Sequence, residues 1–437
     1  MKAGRFLIAL LFVTGLVGEM VKGAVIYSRF LYFSILISVV AWVWTHWAAS
    51  GLRLYRVARV QRANVGEIFE EKFEVENKSR MFVPWVEVLN QSRIPFASGS
   101  RLLTLMTIHQ KRTYIARTWL TRRGSFPLGP TRLTTGDPFG LFSVIKEVPP
   151  VQTLIVYPLI FEIQSFLFPL GLLPGGQAIR RKSAEITPYA TGVREYVHGD
   201  AMKRIHWPTS VRRNHLMVKE FEQEPQAELW LYLDSQKDVH FEKPHQYEDI
   251  PVEFIFFGRR LNFQMPPSTL EYSISITASL AHYFIAQHRA VGYVSAGQAF
   301  TVHSADRSER QEAKILETLA FVEADGNMSI SALVAAQASQ LPQGSSVILV
   351  TPTVRPDLLL AVDDLQRRRL RPVVVLLNAE TFSGKRGTDT LVLSLRERRV
   401  PVCVIACDAD LTQALSELPS DLTSQEMRTW RNPVLSH

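Results

Sequence analysis

The chain has 437 residues, enough for two or three domains of about 100–200 residues each. Charged residues make up 21% and hydrophobic residues 46%, ordinary globular usage that excludes wholesale disorder. The formal net charge of +8 admits nucleic acid, anionic lipid or an acidic protein as partner, but no helix-turn-helix pattern, aromatic RNA-binding signature or zinc-finger spacing supports nucleic acid.

The N-terminal fifty residues hold a large share of the apolar content. Phe6 to Gly18 is an uninterrupted apolar run, extended by Val21 to Tyr27 past Glu19 and Lys22, and Phe30 to Ala49 is a second. About twenty residues at 1.5 Å rise cross a hydrocarbon core of about 30 Å. A transmembrane helical hairpin is therefore expected over residues 1–52, with helices at about 5–26 and 30–49. Tyr27, Tyr32 and Phe33 at one end and Trp42, Trp44 and Trp47 at the other fit interfacial belts. A cleavable signal peptide is the competing reading, yet no small-x-small site follows and a second apolar run arrives at once. Arg53, Arg56, Arg59 and Arg62 follow the second run, so the positive-inside rule places them, and the bulk of the chain, in the cytoplasm.

From residue 53 to 158 the pattern is one of short alternating segments. Phe73-Glu74-Val75-Glu76, Val83 to Leu89 and Lys111 to Leu120 read as strands, and Gly124, Pro127, Gly129, Pro130, Gly136, Pro138 and Gly140 punctuate the stretch after them. A β-sandwich or small barrel is the expected class. Asp137-Pro138-Phe139-Gly140-Leu141-Phe142 reads as a turn that plants aromatic residues in a core.

Residues 159–225 form a connecting segment. It carries an unusual density of polar residues: Arg194-Glu195-Tyr196, Gly199-Asp200, Arg204-Ile205-His206-Trp207, Arg212 and Lys219. A solvated face would seldom mix Tyr196, Ile205 and Trp207 with such charges, so a partly inserted network of Arg forks, carboxylates and ring nitrogens is expected.

Residues 226–437 alternate strand and helix. Leu229 to Leu233, Val291 to Ser295, Val347 to Val350, Val373 to Leu377 and Val402 to Ala406 read as buried strands. Tyr272 to Gln287, Glu309 to Phe321 and Asp357 to Arg369 read as helices. Such alternation implies a parallel sheet covered on both faces, with ligands approaching the strands' carboxyl ends, where Asp234 and Thr351 fall. An insertion at about 238–269 interrupts the pattern with His240, His245 and Phe254-Ile255-Phe256-Phe257. The two cysteines, Cys403 and Cys407, read as core residues of the last strand.

Together these segments resemble a widespread bacterial membrane family known as domain of unknown function fifty-eight. The resemblance rests on the hairpin, on Arg123 to Pro130, Asp137 to Phe142 and Val156-Tyr157-Pro158, on the polar block from Arg194 to Trp207, and on Leu216 to Glu220. It implies a membrane anchor, a von Willebrand factor A-like (Rossmann-like) parallel sheet with flanking helices, and association with MoxR-type AAA+ ATPases in assembly or regulation of other proteins. It brings no enzymatic activity.

A von Willebrand A domain often holds Mg²⁺ through an Asp-x-Ser-x-Ser loop after its first strand, with a Thr and a second Asp from later loops. Here that loop is Asp234-Ser235-Gln236-Lys237-Asp238, with Gln236 and Asp238 where the two serines would stand. Pro352 replaces the later Asp, and Ser329 is the substitute for the Thr. The expected site is degenerate, and Asp234 is read as a residue that caps the following loop.

The polar block admits three readings. An enzyme in envelope metabolism, a hydrolase or transferase, would use His198 or His206 as base near Asp200, but no nucleophile is marked. A metal site of His198, His206 and His215 fails on spacing, since intervals of eight and nine do not recur on one helix face. A packed joint between the β-domain and the α/β domain, locked by Arg194, Asp200, Arg204 and Trp207, fits best. The expected function is thus a non-enzymatic, membrane-tethered scaffold or adaptor whose α/β domain binds a protein, without nucleic acid, cofactor or small-molecule substrate.

Overall fold

A computed structural model of the chain describes residues 2–164, 166, 190–197, 202, 205–221, 228–245 and 263–416. They fall into two compact units. One comprises Met1–Ile160, Pro244–Pro266 and Leu316–Val322, the other Phe161–Lys243, Pro267–Ile315 and Glu323–His437.

The first unit opens with α1 (Lys2–Lys22) and α2 (Val25–Ser50), both long and apolar enough to cross a membrane. The break between them falls a few residues earlier than expected. Gly23 takes φ +60, and its N–H reaches Glu19 O at 3.2 Å, a left-handed closure that glycine adopts without a Cβ penalty. Small residues then let the helices approach closely: a Cβ on Gly15 would stand 2.8 Å from Leu31 N.

Ten short strands follow: β1 (Leu52–Ala58), β2 (Arg62–Asn64), β3 (Ile68–Asn77), β4 (Val83–Asn90), β5 (Arg101–Met106), β6 (Lys111–Trp119), β7 (Gly124–Pro127), β8 (Thr131–Gly136), β9 (Ser143–Val148) and β10 (Thr153–Tyr157). They form three sheets, ordered β1-β3-β6, β5-β4-β8-β9 and β2-β10-β7. Alternation explains the first two. Phe69, Phe73 and Val75 of β3 are buried, and Phe73 and Val75 share one core with Val86, Val88, Leu103, Met106 and Leu133. A second core gathers Phe69, Leu120, Phe126, Leu154 and Val156 under the third sheet. Arg56 enters the interior with partners for its fork: it meets Glu71 at 2.8 and 2.9 Å, Asn90 Oδ1 at 3.0 Å and the Phe73 ring at 4.9 Å.

The turn at Asp137 differs from expectation. Asp137 is buried, and its carboxylate accepts from Phe139 N at 2.7 Å and Phe142 N at 2.6 Å. Leu141 enters the core, but Phe139 points outward and is 52% exposed.

The second unit begins with β11 (Ala190–Glu195), α3 (Trp207–Arg213) and β12 (Met217–Phe221). Its sheet then follows as β13 (Leu229–Leu233), α4 (Thr269–Ala286), β14 (Val291–Ala296), β15 (Phe300–Asp306), α5 (Glu309–Phe321, of which the part from Leu316 is counted in the first unit), α6 (Ile330–Gln337), β16 (Ser346–Thr351), α7 (Asp357–Arg367), β17 (Arg371–Leu377), α8 (Thr388–Glu397), β18 (Val402–Ile405) and α9 (Leu411–Ser416). Six strands lie in the order β15-β14-β13-β16-β17-β18. All neighbours are parallel except β15, an antiparallel edge strand that the sequence pattern did not reveal. Helices α6, α7 and α8 share a core with Trp230, Tyr232, Leu349 and Leu376, while α4 packs against β13, β14 and β16.

Cys403 and Cys407 are only half-buried: β18 is the edge strand of the sheet among the described residues, and Cys407 lies in the turn after it. The stem of the insertion closes early, with Lys243 N on Pro267 O at 3.0 Å and Thr269 N on Phe241 O at 2.9 Å. Its aromatic run Phe254 to Phe257 lies outside the described residues.

Candidate functional site

The chain enters the large sheet at its centre. From β13 it moves to β14 on one side, then returns through α5 and α6 to β16 on the other. The loops leaving β13 and β16 therefore diverge and open a crevice at the strands' carboxyl ends, the place where open α/β sheets take ligands. Asp234 follows β13 and Thr351 ends β16, as the sequence placed them.

Asp234 is 1% exposed, and each of its carboxylate oxygens accepts a hydrogen bond from the protein. Thr351 Oγ1 donates to Oδ2 at 2.6 Å, and Gln236 N donates to Oδ1 at 3.1 Å, so the side chain caps the loop directly after it. The Thr351 hydroxyl in turn accepts from Thr353 N at 3.0 Å, and Thr353 Oγ1 accepts from Arg355 N at 3.3 Å. Burial pushes the Asp234 carboxyl up to about 6, against the pull of Thr351 and Gln236.

His240 locks the same loop from below. Its Nε2–H donates to the Asp234 carbonyl at 2.9 Å, and its Nδ1 faces Thr269 Oγ1 at 3.1 Å. Burial brings its imidazole down to about 4, so the ring is neutral at physiological pH. A carbonyl accepts only, so Nε2 carries the proton and Nδ1 is the acceptor. Gly326 fits where no Cβ would, against Ala296 O and Ser235 O, and Lys237 N bonds its carbonyl at 2.9 Å. His240, Thr353 and Gly326 were missed as site residues; the only sequence signal was a Thr-Pro-Thr closing a buried strand.

Mg²⁺ needs oxygen donors in near-octahedral array, and the residues here do not fit it. Both Asp234 oxygens hold protein donors, and Pro352 has no side-chain oxygen to offer. Asp238 stands 69% exposed with Arg355 at 3.7 Å. Ser329, expected to replace the Thr, instead caps α6: its Oγ accepts from Ala332 N at 3.3 Å and meets Ser331 Oγ at 2.9 Å. Among the described residues no three His, Cys, Asp or Glu side chains gather as a metal set.

The polar block forms a separate substructure. β11 and β12 pair antiparallel, with Arg194 opposite Val218, Glu195 opposite Met217 and Val193 opposite Lys219. Tyr196 N extends the ladder to Leu216 O at 2.8 Å, and His206 N reaches Met217 O at 2.8 Å. His206 is the N-cap of α3: its Nδ1 accepts from Thr209 N at 3.3 Å and meets Thr209 Oγ1 at 2.7 Å. Ser210 is buried and accepts from Met217 N at 2.8 Å, fastening the helix to the strand. Trp207 is 62% exposed and Arg212 is exposed in the last turn of α3. Gly199, Asp200, Arg204 and His198 lie outside the described residues, as do the side chains of Arg194 and Lys219.

Comparison with known proteins adds one family match. Residues 192–250 match the family model described as "Protein of unknown function DUF58". That segment holds most of β11, then α3, β12, β13, the Asp234 loop and His240, so the family match falls on the polar block and the first strand of the sheet. The chain is also similar to the "Uncharacterized protein YeaD" of Bacillus subtilis (strain 168), 25% identical over 215 residues, 48% of this chain and 45% of that protein. It thus spans less than half the length of that relative. Among solved structures, the CARDB domain of a Pyrococcus furiosus protein covers 24% of this chain at TM-score 0.17, with 91% of its own length aligned and 11% identity. A GH20 exo β-N-acetylglucosaminidase of Vibrio harveyi covers 75% of this chain and 57% of its own at TM-score 0.18 and 8% identity. Neither likeness carries an argument about fold or chemistry.

Proposed function

We propose that the chain is a membrane-anchored, non-enzymatic scaffold or adaptor. Its hairpin tethers it, and its sheet domain, von Willebrand factor A-like in strand order and in the aspartate after the first strand, binds a protein partner in the cytoplasm. The partner we propose is an AAA+ ATPase of the MoxR type, which the family resemblance implies, in assembly or regulation of other proteins.

The observation that carries this reading is the state of the Asp234 crevice. The two groups best suited to chemistry, the Asp234 carboxylate and the His240 ring, are spent on holding the loops. The strand ends also carry outward groups of mixed character: the Asp238–Arg355 pair at 3.7 Å, and the exposed apolar side chains of Phe300, which opens β15, and Met328, just after Gly326. A polar rim around apolar anchors is the composition of a protein-binding surface.

The test uses the full chain in detergent, immobilised and exposed to an AAA+ ATPase of the same cell. Arg355→Glu with Phe300→Ser should weaken ATPase retention at least tenfold while leaving the Tm unchanged. Retention equal to the parent's, with the variant folded, would contradict the assignment of this edge.

A further inference from the structure

We propose that the β-domain of the first unit is itself seated in the membrane interface. Two of its loops, 79–82 and 137–142, form a collar that enters the headgroup layer around the base of the hairpin. The inference deepens the anchored reading and rests on it.

The argument begins with lengths. At 1.5 Å per residue α1 is about 31 Å long and α2 about 39 Å, so α1 alone matches a hydrocarbon core of about 30 Å and α2 overshoots it. Contacts of Gly15 with Leu31 and of Gly18 with Tyr27 set the antiparallel register. That register puts Arg5 level with residues near 40 of α2, and leaves Trp44 to Ser50 beyond the start of α1. The overshoot is the part of α2 that the β-domain grips. Thr45, Ala48 and Ala49 are buried, and Ala48 and Leu52 belong to the core that holds Phe73 and Val86. No linker separates the two, since α2 ends at Ser50 and β1 starts at Leu52.

Both loops lie at this level. Loop 79–82 meets the end of α2: Phe82 packs edge-on to Trp44 at 4.7 Å, and a Cβ on Gly51 would collide with Ser79. Loop 137–142 meets the start of α1. Arg5 Nε donates to Leu141 O at 2.6 Å, and a Cβ on Gly4 would stand 3.0 Å from Phe139 O. Gly4 and Arg5 open the apolar window Gly4–Val21, so the loop meets the hairpin at the edge of that window.

The loops' outward side chains suit that depth. Phe139 is 52% and Phe82 40% exposed, at the level where Trp42 and Trp47 are also exposed. Aromatic side chains at the membrane–water boundary place their rings among the headgroups. Arg53 and Arg80 are exposed nearby, which matches anionic phosphates. The occupant of this apolar rim is therefore lipid. The consequence is mechanical: β1 continues α2 and the collar fixes the β-domain's tilt, so the domain rides on the bilayer as a rigid plinth.

The test reads lipid depth in the full chain. Phe82→Cys, Phe139→Cys, Glu67→Cys and Ile35→Cys are each labelled with bimane in a Cys403→Ser, Cys407→Ser background and placed in phosphatidylglycerol-containing nanodiscs that carry nitroxide on the lipid headgroup or, in a second preparation, on the acyl chain. Glu67 precedes β3, whose other end, Asn77, pairs with Leu52, so it reports the far end of the domain. Labels at 82 and 139 should be quenched several-fold more than the label at 67. Equal quenching at 82, 139 and 67, with the label at 35 still quenched by acyl-chain nitroxide, would overturn the collar and leave the anchor standing. A label at 35 that escapes quenching would overturn the anchor and the collar together.

Discussion

Replacing Asp234 separates a carboxylate that serves structure from one kept ionised for a ligand. Burial raises its folded-state pKa to about 6 from an ordinary value of 3.8. The folded chain therefore holds the proton more tightly than the unfolded one. The associated stability is fully present below the unfolded value and is lost as pH rises towards 6. Two units at about 1.4 kcal/mol each give a loss on the order of 3 kcal/mol across that window, as an upper bound. Asp234→Asn removes the titration but keeps the acceptor for Gln236 N and presents an N–H₂ to Thr351 Oγ1. It should equal the parent near pH 3 and exceed it by about 1–3 kcal/mol at pH 7.5. Asp234→Ala orphans the Thr351 hydroxyl and the Gln236 N–H, at about 1–3 kcal/mol each, so its deficit is largest at low pH, where the parent bears no ionisation cost. Hydrogen exchange of peptides covering β13 and β16, corrected for intrinsic rates, reads the local free energy directly. An Asn variant as weakened as the Ala variant at pH 7.5, or a parent whose protection is flat from pH 4.5 to 7, would refute the reasoning.

Other substitutions act through single contacts. Glu71→Ala strands the buried Arg56 guanidinium and should cost about 3–5 kcal/mol in thermal unfolding, well above the cost of Glu71→Gln. Ser210→Ala removes the acceptor of Met217 N and should weaken exchange protection in residues 205–218 by about 1–3 kcal/mol, leaving β13 unaffected. Gly326→Ala drives a methyl group into Ala296 O, and at least about 1–3 kcal/mol should be lost as the Asp234 loop shifts. Millimolar Mg²⁺ should leave the Tm of the parent unchanged, because both Asp234 oxygens already hold protein donors; a rise that disappears in Asp234→Asn would show a bound ion.

The elements that announced themselves in sequence are those whose pattern comes from burial. Leu229–Leu233 and Arg371–Leu377 are near-continuous apolar runs because a parallel strand is covered on both faces, and Glu309–Phe321 is helical with the expected ends. The hairpin's turn was misplaced because apolar content does not mark a break; the left-handed Gly23 does. β15 went unseen because an antiparallel edge strand is only half-covered, and its residues, exposed or half-buried, show no apolar run. The site was legible at Asp234 and Thr351, which sit at strand ends, but not at His240. A histidine 29 residues from Thr269 carries no sign that its ring will reach a carbonyl six residues back. Phe139 was read as core because Asp-Pro-Phe-Gly specifies the turn without specifying which way its aromatic faces.

Anchorage decides between the adaptor and every soluble alternative, and membranes washed in alkaline carbonate test it most directly. If α1 and α2 span the bilayer, the full chain stays wholly in the pellet after the wash and enters solution only with detergent. Release of the intact chain into the carbonate supernatant would contradict tethering by the hairpin.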